Sequence, residues 1–206
     1  FPYTTLFRSP IQSNGGWDYI AVYKNNLYVS HGTQVNIIDK TTGDSVGVIP
    51  NATGVHGIAF DPYHNIGFTS NGKLNNVYAF KATTNEVIAT IPTGENPDAI
   101  MYDPFSKNII TCNGRGKNVS FIDPNTFKVI GQVEVGGKPE TAVSDFAGNI
   151  YVNIEDKNEI VKIDALHFKV LAHWSILPVE EPTGLAIDIA NKRLYRVHYL
   201  TCTTKV

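Results

Sequence analysis

An all-β fold is predicted by this sequence, a β-propeller of four-stranded antiparallel blades with about 42 residues per repeat. Three observations carry the prediction. A unit of that length returns four times and begins a fifth copy; each full copy holds four short apolar elements; and no window carries an apolar stripe at helical spacing. A single blade cannot bury both of its faces. Stacking blades side by side buries them and leaves only short edges.

The elements come in a fixed order. First strands read Asp18-Tyr19-Ile20-Ala21, His56-Gly57-Ile58-Ala59, Asp98-Ala99-Ile100-Met101, Glu140-Thr141-Ala142-Val143 and Thr183-Gly184-Leu185-Ala186. Second strands are centred on Tyr28-Val29, Gly67-Phe68, Ile110-Thr111, Tyr151-Val152 and Tyr195-Arg196. Third strands run Val35 to Asp39, Val77 to Lys81, Val119 to Asp123 and Ile160 to Asp164, and fourth strands occupy 46–49, 87–91, 129–133 and 170–176. Val, Ile, Tyr and Phe bounded by Gly, Asn, Asp or Pro favour strands at each place. The resulting blades are 17–50, 55–92, 97–135, 139–177 and a partial 182–198.

Turn chemistry agrees. Asp61-Pro62 and Asp103-Pro104 suit the turns between first and second strands, because Asp can accept a bond from the backbone two residues on. Thr42-Gly43 and Thr84-Asn85 suit a left-handed residue between third and fourth strands. Phe127, at the corresponding place, does not fit that pattern, so a different turn type is expected there.

The pairs Tyr28-Val29 and Tyr151-Val152, the endings Ile37-Ile38-Asp39, Phe121-Ile122-Asp123 and Lys162-Ile163-Asp164, and the linkers Gly94-Glu95-Asn96-Pro97 and Gly136-Gly137-Lys138-Pro139 resemble the YVTN family of β-propeller repeat proteins, in its YncE-like branch. The resemblance spans residues 17 to about 197. It implies a ring of seven blades, which needs about 290 residues at this repeat length. With 206 residues, four and a half blades are present and the chain reads as a fragment. Residues 1–16 read as a non-native or disordered leader, similar to a translated sequencing-adaptor scar, and 199–206 as a doubtful tail after a frame slip. The resemblance also implies a periplasmic or secreted protein.

Composition narrows the functions. A net charge of −2 without a basic cluster gives no track for a nucleic-acid backbone. No apolar run is long enough for a membrane-spanning helix. Two cysteines, Cys112 and Cys202, make neither a disulfide framework nor a CxxC ligand pair. Neither an HExxH motif nor a convincing nucleophile–base pair is present.

Polar residues converge only where loops of successive blades share a rim. The starts of the first strands form an equivalent set: Asp18, His56, Asp98, Glu140 and Thr183. Carboxylates plus an imidazole suit a divalent cation, although equivalent positions in a ring need not lie within ligand distance of one another. Loops between second and third strands add His31, Arg115, Lys117 and Glu155. In Asn113-Gly114-Arg115-Gly116-Lys117 the glycines either expose N–H groups to an anion or serve a tight hairpin needing positive φ. The long connection before the fifth copy adds Glu180 and Glu181. These nine residues, His31, His56, Asp98, Arg115, Lys117, Glu140, Glu155, Glu180 and Glu181, are the ligand-binding candidates.

The leading expectation is a non-enzymatic scaffold that binds a protein, peptide or small ligand through this rim, with no cofactor beyond an occasional divalent cation. The alternative is a lactonase-like or metal-assisted hydrolase. Propeller lactonases use rim histidines, arginines and carboxylates, a set that His56, Arg115, Glu140 and Glu155 resemble.

Overall fold

A computed structural model describes residues 15–178 and 180–198, with the side chain of residue 198 left aside. Most of the leader and all of the tail expected from the sequence lie outside the described residues. Gly15 and Gly16 are inside, and the Gly16 carbonyl accepts a bond from Gly32 N–H at 3.0 Å.

Among the described residues, eighteen strands build four full antiparallel sheets and one partial sheet. The first comprises β1 (Trp17–Tyr23), β2 (Asn26–His31), β3 (Gln34–Asp39) and β4 (Ser45–Ile49). The second comprises β5 (Val55–Asp61), β6 (Ile66–Asn71), β7 (Asn76–Lys81) and β8 (Val87–Pro92). The third comprises β9 (Pro97–Tyr102), β10 (Ile109–Asn113), β11 (Asn118–Asp123) and β12 (Lys128–Glu134). The fourth comprises β13 (Pro139–Ser144), β14 (Asn149–Ile154), β15 (Glu159–Asp164) and β16 (Lys169–Ser175). Last is a two-stranded sheet, β17 (Pro182–Asp188) with β18 (Arg193–His198). Each full sheet pairs its strands in chain order, the simplest meander, as propeller-like blades do.

The core lies between sheets. Tyr28, Ile37 and Ile49 of the first blade pack with Ile58 and Phe80 of the second. Phe68, Ala79 and Ile91 of the second pack with Ile109 and Ile122 of the third. Ile110, Phe121 and Val133 of the third pack with Ile150, Val161 and Ile163 of the fourth. Burial of these apolar faces is what couples one blade to the next.

Turns carry a second regularity. The carboxylate ending the third strand caps its own turn: Asp39 Oδ1 accepts from Thr41 and Thr42 N–H, and Asp164 Oδ1 from Leu166 and His167 N–H. Those bonds, led by the one from His167, hold the Asp164 carboxyl down at about 2. Four residues on, Gly43, Asn85, Phe127 and Phe168 all take positive φ. Phe127, at φ 54°, therefore follows the left-handed pattern it was expected to break. Its ring lies against Phe68 of the preceding blade, with centroids 6.5 Å apart, and that packing offsets the backbone strain.

Candidate metal centre at the strand starts

The register makes the strand starts equivalent. Trp17, Val55, Pro97, Pro139 and Pro182 each face the last residue of the neighbouring second strand, so the residues one position on share one rim. Those residues are Asp18, His56, Asp98, Glu140 and Thr183. First strands of successive blades lie side by side, which brings the first three together. One ligand atom from each of Asp18, His56 and Asp98 falls within 4.8 Å of the other two.

His56 is the centre of the group. Its Nδ1–H donates to Asp18 Oδ2 at 2.6 Å and stands 3.8 Å from Asp98 Oδ1. Glycine at position 72 makes room for the ring, because a Cβ there would lie 2.8 Å from His56 Nε2. The hydrogen bond to Asp18 lifts the imidazole pKa above its usual value against the opposing effect of burial, and the Asp98 charge adds to the rise. Burial raises the Asp98 carboxyl in turn; His56 opposes this and Asp18 reinforces it.

This donor set fits a divalent cation. Around an ion with bonds of about 2.1 Å, neighbouring donors sit about 3.0–3.5 Å apart, so the observed 2.6 and 3.8 Å bracket the requirement. Loss of the proton shared by His56 and Asp18 opens the shorter separation. One imidazole and two carboxylates match Zn²⁺ or Mn²⁺ and leave coordination positions for water or substrate.

Glu140 is placed differently. Its Oε2 is buried and lacks a hydrogen-bond partner, while Lys138 Nζ stands 3.4 Å away at ion-pair distance. Burial and then the Asp98 charge raise its carboxyl, and Lys138 opposes the rise. Lys138 also pairs with Glu155, so one ammonium holds two of the candidate carboxylates. Tyr19 reaches from the first blade to pack on the core of the third and fourth, where burial, then Asp98, Glu140 and Asp18, push its phenol up. The sequence reading missed Tyr19 and Lys138. It placed Asp18 in the equivalent set but left it out of the candidates, although its position was the signal.

The remaining candidates lie apart from the cluster. His31 is 2% exposed and stacks on Trp17 at 3.7 Å, with its Nε2 2.7 Å from the Gly15 carbonyl oxygen. Arg115 and Lys117 are exposed on the loop after β10. Gly114 and Gly116 N–H donate to the Asn96 and Glu95 carbonyls, which commits both groups of the anticipated anion nest. The left-handed residue of that loop is Lys117, at φ 54°, and Gly116 is required instead because a Cβ would meet Glu95 N at 2.9 Å. Glu180 and Glu181 are exposed, with Glu181 N–H donating to Asn158 Oδ1 at 2.9 Å.

The cluster overturns the expectation of a non-enzymatic scaffold, and with it the leaning against enzymatic activity. Equivalent positions in a ring need not meet, but three of these do, with donors positioned to chelate a metal.

No family profile and no curated protein matches the chain. Among solved structures, it is similar to Kuenenia stuttgartiensis hydrazine synthase, with TM-score 0.70 and 16% identity over 79% of this chain and 48% of that one. It is also similar to a chain of a mitotic checkpoint complex, with TM-score 0.77 and 12% identity over 87% of this chain and 58% of that one. The chain thus spans about half the length of the structures it matches, and at these identities the likeness is one of fold.

Proposed function

We propose that this chain is part of a YVTN-type β-propeller whose strand-start cluster holds a divalent cation and supports hydrolysis of a lactone or similar ester. The observation that carries the reading is the meeting of Asp18, His56 and Asp98 donors within 4.8 Å. A bound cation would supply Lewis acidity, polarising a carbonyl oxygen and acidifying water. Placement in the periplasm or outside the cell, and a full ring of seven blades, belong to the same proposal and rest on the repeat motifs.

The side chains divide the work. Asp18, His56 and Asp98 are the ligands. Glu140, whose carboxyl is raised by burial and by Asp98, takes a proton from the attacking water and returns it to the leaving oxygen. The water oxygen bonds to the carbonyl carbon, the ring C–O bond breaks, and a hydroxy acid results. Lys138 orients Glu140 between turnovers. Arg115 and Glu155 lie on loops at the same rim and would meet the rest of the substrate.

The test is turnover of a panel of γ- and δ-lactones and aryl esters by the full chain supplied with Zn²⁺ or Mn²⁺. The expected result is hydrolysis that a chelator removes, and that His56→Ala and Glu140→Gln each abolish with the far-ultraviolet circular dichroism unchanged. Turnover that persists in His56→Ala, or none in protein with bound metal, would contradict the proposal.

A further inference from the structure

A second site, independent of the metal centre, lies on the opposite rim. β5 carries His56 beside its start and Asp61 at its end, which places the two about 17 Å apart along the strand. The turns that follow the first strands meet on that rim at each blade junction. At the first junction the Tyr23 hydroxyl donates to Asn65 Oδ1 at 2.9 Å. At the third, the Ser144 hydroxyl donates to buried Asp103 Oδ1 at 2.6 Å. Among the described residues no side-chain hydrogen bond joins the turns of the second and third blades. A cavity of about 230 Å³ stands there instead, lined by Asp61, Tyr63 and His64 of the second blade and by Tyr102, Lys107 and Pro124 of the third.

The sequence accounts for the opening. Tyr102 stands where the fourth blade has Ser144, immediately before the turn aspartate, so this junction lacks the short hydroxyl that reaches back to Asp103 at the next one. Asp61 finds its partners in its own turn. Its Oδ1 accepts from Tyr63 N–H at 2.9 Å and its Oδ2 from His64 Nδ1–H at 2.5 Å. The Asp61 residue is 1% exposed and both of its carboxylate oxygens are engaged, so it fixes the imidazole tautomer and leaves Nε2 as the nitrogen open to a ligand.

Charge and shape define the occupant. Lys107 is exposed, its ammonium lies 5.9 Å from the Tyr63 ring centroid, and among the described residues it enters no ion pair. The cavity therefore offers a cation to an anionic group. Tyr63 and Tyr102, with ring centroids 6.3 Å apart and planes at 51°, form an aromatic wall, and buried Pro124 adds apolar surface. A cavity of about 150 Å³ suffices for a benzene ring, so this one has room for a ring carrying substituents.

We infer that the junction of the second and third blades binds a small aromatic carboxylate bearing a ring hydroxyl. The carboxylate pairs with Lys107, the ring lies against Tyr63 and Tyr102, and the ring hydroxyl donates to His64 Nε2. Few polar groups on an otherwise apolar wall fix the orientation of such a ligand.

The probe is para-hydroxybenzoate, titrated calorimetrically into the full chain without added metal. The expected result is saturable binding of one molecule per chain that His56→Ala leaves unchanged, which separates this site from the metal centre. Lys107→Asn removes the charge while keeping a residue suited to the left-handed backbone at φ 60°, and it should weaken binding about tenfold. His64→Asn retains an amide donor for Asp61 but loses Nε2; it should lower the affinity for para-hydroxybenzoate to that for benzoate and leave benzoate binding as it was. Absence of saturation, or equal affinity in Lys107→Asn with far-ultraviolet circular dichroism unchanged, overturns the inference. So does binding of phenol or of glucuronate as tight as that of para-hydroxybenzoate, since the first would remove the anion and the second the aromatic ring from the recognition.

Discussion

The strand starts of the first three blades and that of the fourth occupy the same register, yet they solve one electrostatic problem differently. At Asp18, His56 and Asp98 the carboxylates flank an imidazole, whose proton a metal can displace. At Glu140 the neutralising charge is built in, because Lys138 pairs with both Glu140 and Glu155. The residue before the strand decides the outcome: Gly16, Gly54 and Asn96 offer no charge at the place where Lys138 stands. A repeat can therefore carry a ligand site in one arc of its rim and a closed ion-pair network in the next.

The largest expected effect falls on the first arc. Replacing His56 by Ala removes the one nitrogen donor and should weaken Zn²⁺ binding by about a hundredfold or more, as read by competition with a chromophoric chelator. Glu140→Gln should leave affinity within about threefold of the parent. Equal losses in both variants would dissolve the distinction between the arcs.

Next comes the scaffold beneath His56. A Cβ on Gly57 would lie 2.7 Å from Ile100 Cγ2 and 3.1 Å from the Asp98 carbonyl oxygen. Gly57→Val should thus cost about 1–3 kcal/mol by overpacking, visible as a lower urea midpoint. An unchanged midpoint would mean that the first strands are not packed as described.

The pH response separates the arcs more gently. His56 has a folded pKa above the ordinary histidine value, so its bond to Asp18 stabilises the metal-free protein fully below about pH 6.5 and fades as pH rises through the raised value. Asp18→Asn should bring the NMR titration midpoint of His56 down. A midpoint that does not move would show that Asp18 is not its partner. The smallest effect belongs to Lys138→Met, which removes the cation opposing the rise at Glu140 and should lift that carboxyl further while changing stability by only about 0–1 kcal/mol, because Lys138 is partly exposed. A fall in the Glu140 midpoint would contradict the pairing.

Much of the fold was legible because each blade spells its strands in β-branched and aromatic residues and punctuates them with Asp, Asn and Gly. The left-handed Phe127 was not, since its conformation is set by Phe68 in another blade. The equivalence of Asp18, His56, Asp98 and Glu140 could be read from spacing alone. Which of them meet could not, because that depends on how closely first strands approach and on the space left by Gly72. Arg115, Lys117, Glu180 and Glu181 have the right chemistry for a rim, but they stay exposed and are not part of the cluster.

The most direct test of the metal centre is calorimetric titration of the full chain with Zn²⁺ near pH 7, in two buffers of different ionisation enthalpy. The expected result is one ion per chain with proton release that grows as the pH is lowered toward about 6, since the imidazolium form of His56 must lose a proton to become a ligand, and loss of both signals in His56→Ala. Absence of binding, or binding with the same stoichiometry and proton release in His56→Ala, would contradict the assignment of Asp18, His56 and Asp98 as a metal site.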